Sequence, residues 1–121
     1  MTPDMTPESL EEYLRGLGYE VSIIRDPGGQ FYTVIHSVEI TAGSLRGRRC
    51  DVALLRPATV PYTVASAIHT RPALVPMDTA GPLKTQSSVL GADWQYWSRR
   101  FDHAPMPHQI LAHVLSVLSE V

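Results

Sequence analysis

The chain has one cysteine and one lysine among its 121 residues, and long apolar runs are missing too. A lone thiol, Cys50, cannot close an internal disulfide or supply a metal site of several cysteines. Its setting in an apolar stretch suits a reduced core cysteine of a cytoplasmic protein. Charge is also scarce. Ten basic residues against twelve acidic ones give a formal net charge of −2, which provides no general attraction to nucleic acid or to an acidic membrane surface. The most apolar segment, 110–121, falls short of the roughly 20 residues a membrane-spanning helix needs. The opening residues, MTPDMTPES, lack the basic start and apolar run of a signal peptide. The expectation is a cytoplasmic protein with no membrane or nucleic-acid partner.

What is present is enough for one core. Hydrophobic residues make up 44% of the sequence, a folded composition, and the length suits one compact domain rather than two. Residues 1–6 read as a flexible tail and 7–121 as the domain. Thr6 can cap a helix that has Pro7 at its first position, where the missing amide donor costs little. Leu10, Tyr13, Leu14 and Leu17 then form an apolar stripe, Glu8, Glu11, Glu12 and Arg15 can face water, and Gly16 and Gly18 end the helix near 17. Alternation in YEVSIIR and QFYTVIHS predicts strands over 19–25 and 30–37, joined at DPGG by a turn. Val38 to Thr41 can prolong the second strand or begin another.

A third strand is expected over 50–55, with Val52 and Leu54 on one face and Ala53 and Leu55 on the other. Pro57 stops it near 56. The arm that follows is punctuated by Pro61, Pro72 and Pro76 and is unsuited to helix. Ile68 and Leu74 are its inward anchors, and Val64, Ala65 and Ala67 are candidates for a further short strand. Residues 78–93 read as an irregular loop, long enough to carry a site. Trp94 and Trp97 stand three apart, which suits a short helical turn with an aromatic edge in the core. Ile110, Val114, Val117 and Val121, widened by Leu111, Leu115 and Leu118, predict a C-terminal helix over 108–120.

Chemistry is harder to find. The five histidines are His36, His69, His103, His108 and His113. His108 and His113 lie about 140 degrees apart on a helix, which is not the spacing of a helical zinc motif. Asp102 beside His103 can orient a ring nitrogen only if the loop folds them together. DPGG lacks the lysine and hydroxyl of a phosphate-binding loop. Arg46, Arg48 and Arg49 can meet an anion but read better as a solvated loop. Cys50, where a strand begins, is read as structural. Ser87 and Ser88 are accessible hydroxyls without an evident base, and GxSxG is absent. No metal and no cofactor is expected.

The strand CDVALLRP, the Val60–Pro61 step with Pro72 and Leu74 after it, and WQYWSRR before HQILAHVLSVL together resemble the ubiquitin-conjugating (E2) superfamily, particularly the prokaryotic E2-like family E. The resemblance covers roughly residues 10–121. It implies an α+β, UBC-like fold: an N-terminal helix, a four-stranded antiparallel meander, a long loop on the active-site side and C-terminal helical cover. Pro61, Pro72, Trp94, Trp97, Ile110, Val114 and Leu118 would serve that fold along with Cys50.

The implied partners are an adenylating E1-like protein, a ubiquitin-like protein and a JAB-type peptidase. Glu8, Glu11, Glu12, Arg15, Arg99 and Arg100 form the candidate partner surface. A standard E2 carries its modifier as a cysteine thioester, yet the corresponding loop, 76–93, has no cysteine, and the chain has no asparagine for a His-Pro-Asn arrangement. Two mechanisms follow. One is a noncatalytic adaptor; the other is a divergent conjugating enzyme with Ser87 or Ser88 as oxyester acceptor, aided by His103. An unrelated small α+β binding module is the remaining alternative.

Overall fold

The computed structural model describes residues 7–56, 67–75, 84–98 and 107–119. Helix α1, Pro7–Gly16, ends as its glycines demand. Gly18 adopts φ +100°, the amide of Tyr19 reaches back to the carbonyl of Leu14 at 3.2 Å, and Gly18 donates to Arg15 at 3.0 Å. These paired bonds satisfy carbonyls that the helix itself leaves open.

The chain then enters a six-stranded, wholly antiparallel sheet in the order β1-β2-β3-β4-β6-β5. Its strands are β1 Val21–Arg25, β2 Phe31–Glu39, β3 Arg49–Arg56, β4 Ile68–Arg71, β5 Thr85–Ser88 and β6 Gly91–Trp97. DPGG closes the β1–β2 hairpin. Asp26 donates its amide to Gln30 at 2.9 Å and takes the Gln30 amide on its own Oδ1 at 3.0 Å, while Gly29 supplies φ +91°. Helix α2, Pro107–Leu118, follows the sheet.

Both helices cover one face of the sheet. Leu10 and Leu14 from α1 and Ile110, Val114 and Leu118 from α2 pack on Ile35, Val38, Val52, Leu54, Ile68 and Trp97. A smaller cluster, Tyr32, Val34, Ala53 and Trp94, is buried on the opposite face. The N-terminal helix, antiparallel sheet and C-terminal helix make an α+β, UBC-like arrangement, with six strands in place of the expected four-stranded meander, because the β5–β6 hairpin adds to the edge of β4. No helix among the described residues is long and apolar enough to cross a membrane.

Two local expectations fail. Residues 84–93 are not irregular, because β5 and the start of β6 form a hairpin there. Trp94 and Trp97 are not on a helical turn but on β6, where a separation of three puts them on opposite faces. The described part of the arm after β3 contributes β4 from Ile68, one residue beyond Ala67, and Ile68 and Leu74 are buried. Pro61, Val64, Ala65, Arg99, Arg100, Asp102 and His103 lie outside the described residues.

Candidate functional site

Cys50 stands at the start of β3, opposite Val38, and is 3% exposed within the main core. Burial pushes its thiol up to about 12; the Asp51 charge adds to this and Arg48 only partly offsets it. The thiolate is the nucleophilic form. A thiol that is both buried and protonated at neutral pH has neither the access nor the charge state that thioester transfer requires.

The sheet register assembles a different set of side chains on the face away from the helices. His69 of β4 lies opposite Ala53 on one side and Tyr96 on the other, and Gln86 of β5 lies opposite Tyr96. The His69 ring takes the edges of Tyr32 and Tyr96 at centroid distances of 5.3 and 5.1 Å. Desolvation lowers its pKa to about 4, so the ring is neutral near pH 7. Its Nδ1 lies 2.6 Å from Ser88 Oγ, which also accepts the Leu90 amide at 3.0 Å.

This pairing braces the β5–β6 turn better than it activates a hydroxyl. A ring with so low a pKa is a poor proton acceptor at neutral pH, and the Ser88 oxygen is already held from two sides. Ser87 is exposed beside it and makes no side-chain hydrogen bond among the described residues. It lines an open cleft of about 330 Å³ with Tyr32, Leu55, Ala67, His69, Gln86, Val89 and Tyr96. Rings and aliphatic walls with the Gln86 amide and the hydroxyls of Ser87, Tyr32 and Tyr96 suit a side chain or a short stretch of peptide.

The candidate partner surface is divided by the structure. Glu12 and Arg15 are exposed, and Arg15 caps the edge carbonyl of Val21 at 3.3 Å. Glu11 corrects the expectation that it faces water: it is 3% exposed, accepting Thr33 Oγ1 at 2.6 Å and Arg56 Nε at 2.9 Å. Glu8 meets the same guanidinium at 3.0 Å. The reason is α1's seat on the sheet, which turns Glu11 toward the one basic residue at the end of β3. In the arginine loop, Arg49 is engaged by Glu39 and by the carbonyl of Ser37. No group of three metal-ligating side chains occurs among the described residues.

Sequence reasoning passed over His69 and Gln95. The alternation Ile68, His69, Thr70 was a signal that His69 turns away from the helices. Gln95, fully buried, takes the Leu74 and Val75 amides on Oε1 at 2.9 and 3.3 Å and donates to the Val75 carbonyl at 2.6 Å. It pins the chain leaving β4, a role with no local sequence mark.

The family model described as Prokaryotic E2 family E matches residues 6–119. No curated protein and no solved structure matches the chain. With helices at both ends of an antiparallel sheet and a match over nearly its whole length, the chain belongs to prokaryotic E2 family E.

Proposed function

We propose that this protein is an E2-like component of a ubiquitin-like modification pathway that acts by binding rather than by carrying a cysteine thioester. The observation behind this reading is the placement of its one cysteine, 3% exposed in the core, within a chain that retains the family fold. What such a protein keeps is surface. The open cleft beside Tyr96 and the exposed charges of α1, Glu12 and Arg15, are the regions offered to a partner. An adenylating E1-like protein and a ubiquitin-like protein are the proposed partners, with a JAB-type peptidase as a further companion.

The oxyester alternative has less support. Ser88 is tied into the hairpin, and Ser87 has no base beside it among the described residues. The test is copurification and titration calorimetry with an E1-like and a ubiquitin-like protein from the same cell, using wild type and folded Cys50→Ser. Equal binding by both supports the adaptor. Failure of wild type to bind either protein rejects it.

A further inference from the structure

A second serine–histidine pair lies at the other side of the same sheet face and differs from the first in one respect: it has a carboxylate behind it. On β1, Ser22 shares a face with the residues that flank it at a spacing of two, and His36 on β2 is its diagonal neighbour. Ser22 Oγ is 2.7 Å from His36 Nε2. His36 Nδ1 is 3.4 Å from Asp51 Oδ1 on β3.

A carboxylate only accepts hydrogen bonds, so a proton on Nδ1 is the arrangement that suits the Asp51 contact, and it leaves Nε2 as the acceptor for the Ser22 hydroxyl. The carboxylate is ionised. Burial raises its pKa, but the Arg71 hydrogen bonds, the Ser37 amide and the neighbouring His36 together hold it below its ordinary value.

The backbone is shaped to bring Asp51 here. The β2–β3 register shifts between Ile35 and Val38, so His36 and Ser37 together face Asp51. Ser37 sits at φ +57°, a conformation L-residues rarely adopt, and its amide is aimed at Asp51 Oδ1 at 3.0 Å. On the far oxygen, Arg71 Nε and Nη2 hold Oδ2 at 3.1 and 2.8 Å, and the guanidinium lies 4.7 Å over the Trp94 ring. Beside His36 a hollow of about 320 Å³ opens between Leu17, Tyr19, Glu20, Ser37 and Arg49.

We propose that Ser22 is a nucleophile toward activated acyl esters, with His36 as its general base and Asp51 as the positioning residue. This goes beyond the adaptor reading and does not depend on it. The Ser22 O–H bond breaks as Oγ bonds to the acyl carbon, and the proton passes to His36 Nε2. The ester C–O bond breaks with its electron pair, and the leaving alcohol takes that proton. Water then attacks the acyl-serine with His36 again as base, releasing the carboxylic acid and restoring the hydroxyl.

The test is labelling of the whole protein with an alkyl fluorophosphonate, read by intact mass and mapped by peptide, alongside hydrolysis of p-nitrophenyl acetate. A single adduct on Ser22 is expected, absent in Ser22→Ala and formed at least about 100-fold more slowly in folded His36→Gln. The nitrogen chemical shifts of the His36 ring report its tautomer directly. Nδ1 should carry the proton in wild type, and Asp51→Asn should shift the balance to Nε2 with slower labelling. A wild-type protein that takes no label, takes it elsewhere, or reacts equally fast as His36→Gln overturns the proposal.

Discussion

Trp94 and Trp97 are three residues apart on β6 and lie on opposite faces of the sheet, Trp97 in the helix-covered core and Trp94 in the smaller cluster behind it. Trp97 is fully buried and donates Nε1–H to Thr70 Oγ1 at 3.0 Å. Trp94 retains 5% exposure under the Arg71 guanidinium.

Trp97→Ala should therefore cost about 3–5 kcal/mol, a large share of the stability of a domain this size. Trp94→Ala should cost less, since its cluster is small and Arg71 stays solvated. Urea unfolding of the two variants, monitored by circular dichroism, gives the comparison directly. Equal losses would place both rings in one core.

That pair also explains where the sequence was legible and where it was not. The α1 stop at Gly18, the DPGG turn and the 50–55 strand each carry local chemistry that a reader can use. β6 does not, because GADWQYW buries residues on both faces and so loses the two-residue alternation that marks a half-covered strand. With alternation gone, a three-residue aromatic spacing reads as helix. Glu11 was misread for a related reason, because charge pattern alone cannot show that Arg56, 45 residues away, waits at the end of β3. The His69–Ser88 and Ser22–His36–Asp51 contacts depend on strand register, and the second also on a bulge that no residue at 35–38 announces.

Glu11 and Arg56 should behave as a part-buried pair, with the carboxylate inside and the guanidinium 23% exposed. Glu11→Ala leaves the guanidinium and the Thr33 hydroxyl without their shared acceptor and should cost on the order of 3 kcal/mol. The double variant Glu11→Leu/Arg56→Leu should recover part of that loss, because it removes a part-buried guanidinium that would keep only the exposed Glu8 as its partner. Denaturant midpoints of the single and double variants check this, and a double variant no better than the single contradicts it.

His69 should make the fold sensitive to mild acid. Its folded pKa of about 4 lies below the ordinary 6.5, so the unfolded chain binds a proton that the folded chain refuses. Above pH 6.5 the group has no effect. Between 6.5 and about 4 stability falls by about 1.4 kcal/mol per pH unit from this residue alone, and below that the contribution levels off. Comparing unfolding free energies at pH 7 and pH 5 should show a loss of about 2 kcal/mol in wild type that His69→Gln largely removes. An unchanged difference in the variant would assign the acid sensitivity elsewhere.

Cys50 should be slow to alkylate. With the thiol buried and its pKa pushed up to about 12, native protein should react with iodoacetamide far more slowly than protein unfolded in urea. Mass spectrometry of timed aliquots provides the ratio. Comparable rates would mean that the thiol is open in the native state.

The most direct measurement of the account is a charging reaction with the matched E1-like protein, the ubiquitin-like modifier and ATP, resolved with and without reductant. The account predicts no reductant-sensitive adduct on wild type or on folded Cys50→Ser, with modifier or E1-like binding intact in both. A reductant-sensitive adduct on wild type that disappears in folded Cys50→Ser would contradict it and make Cys50 the nucleophile.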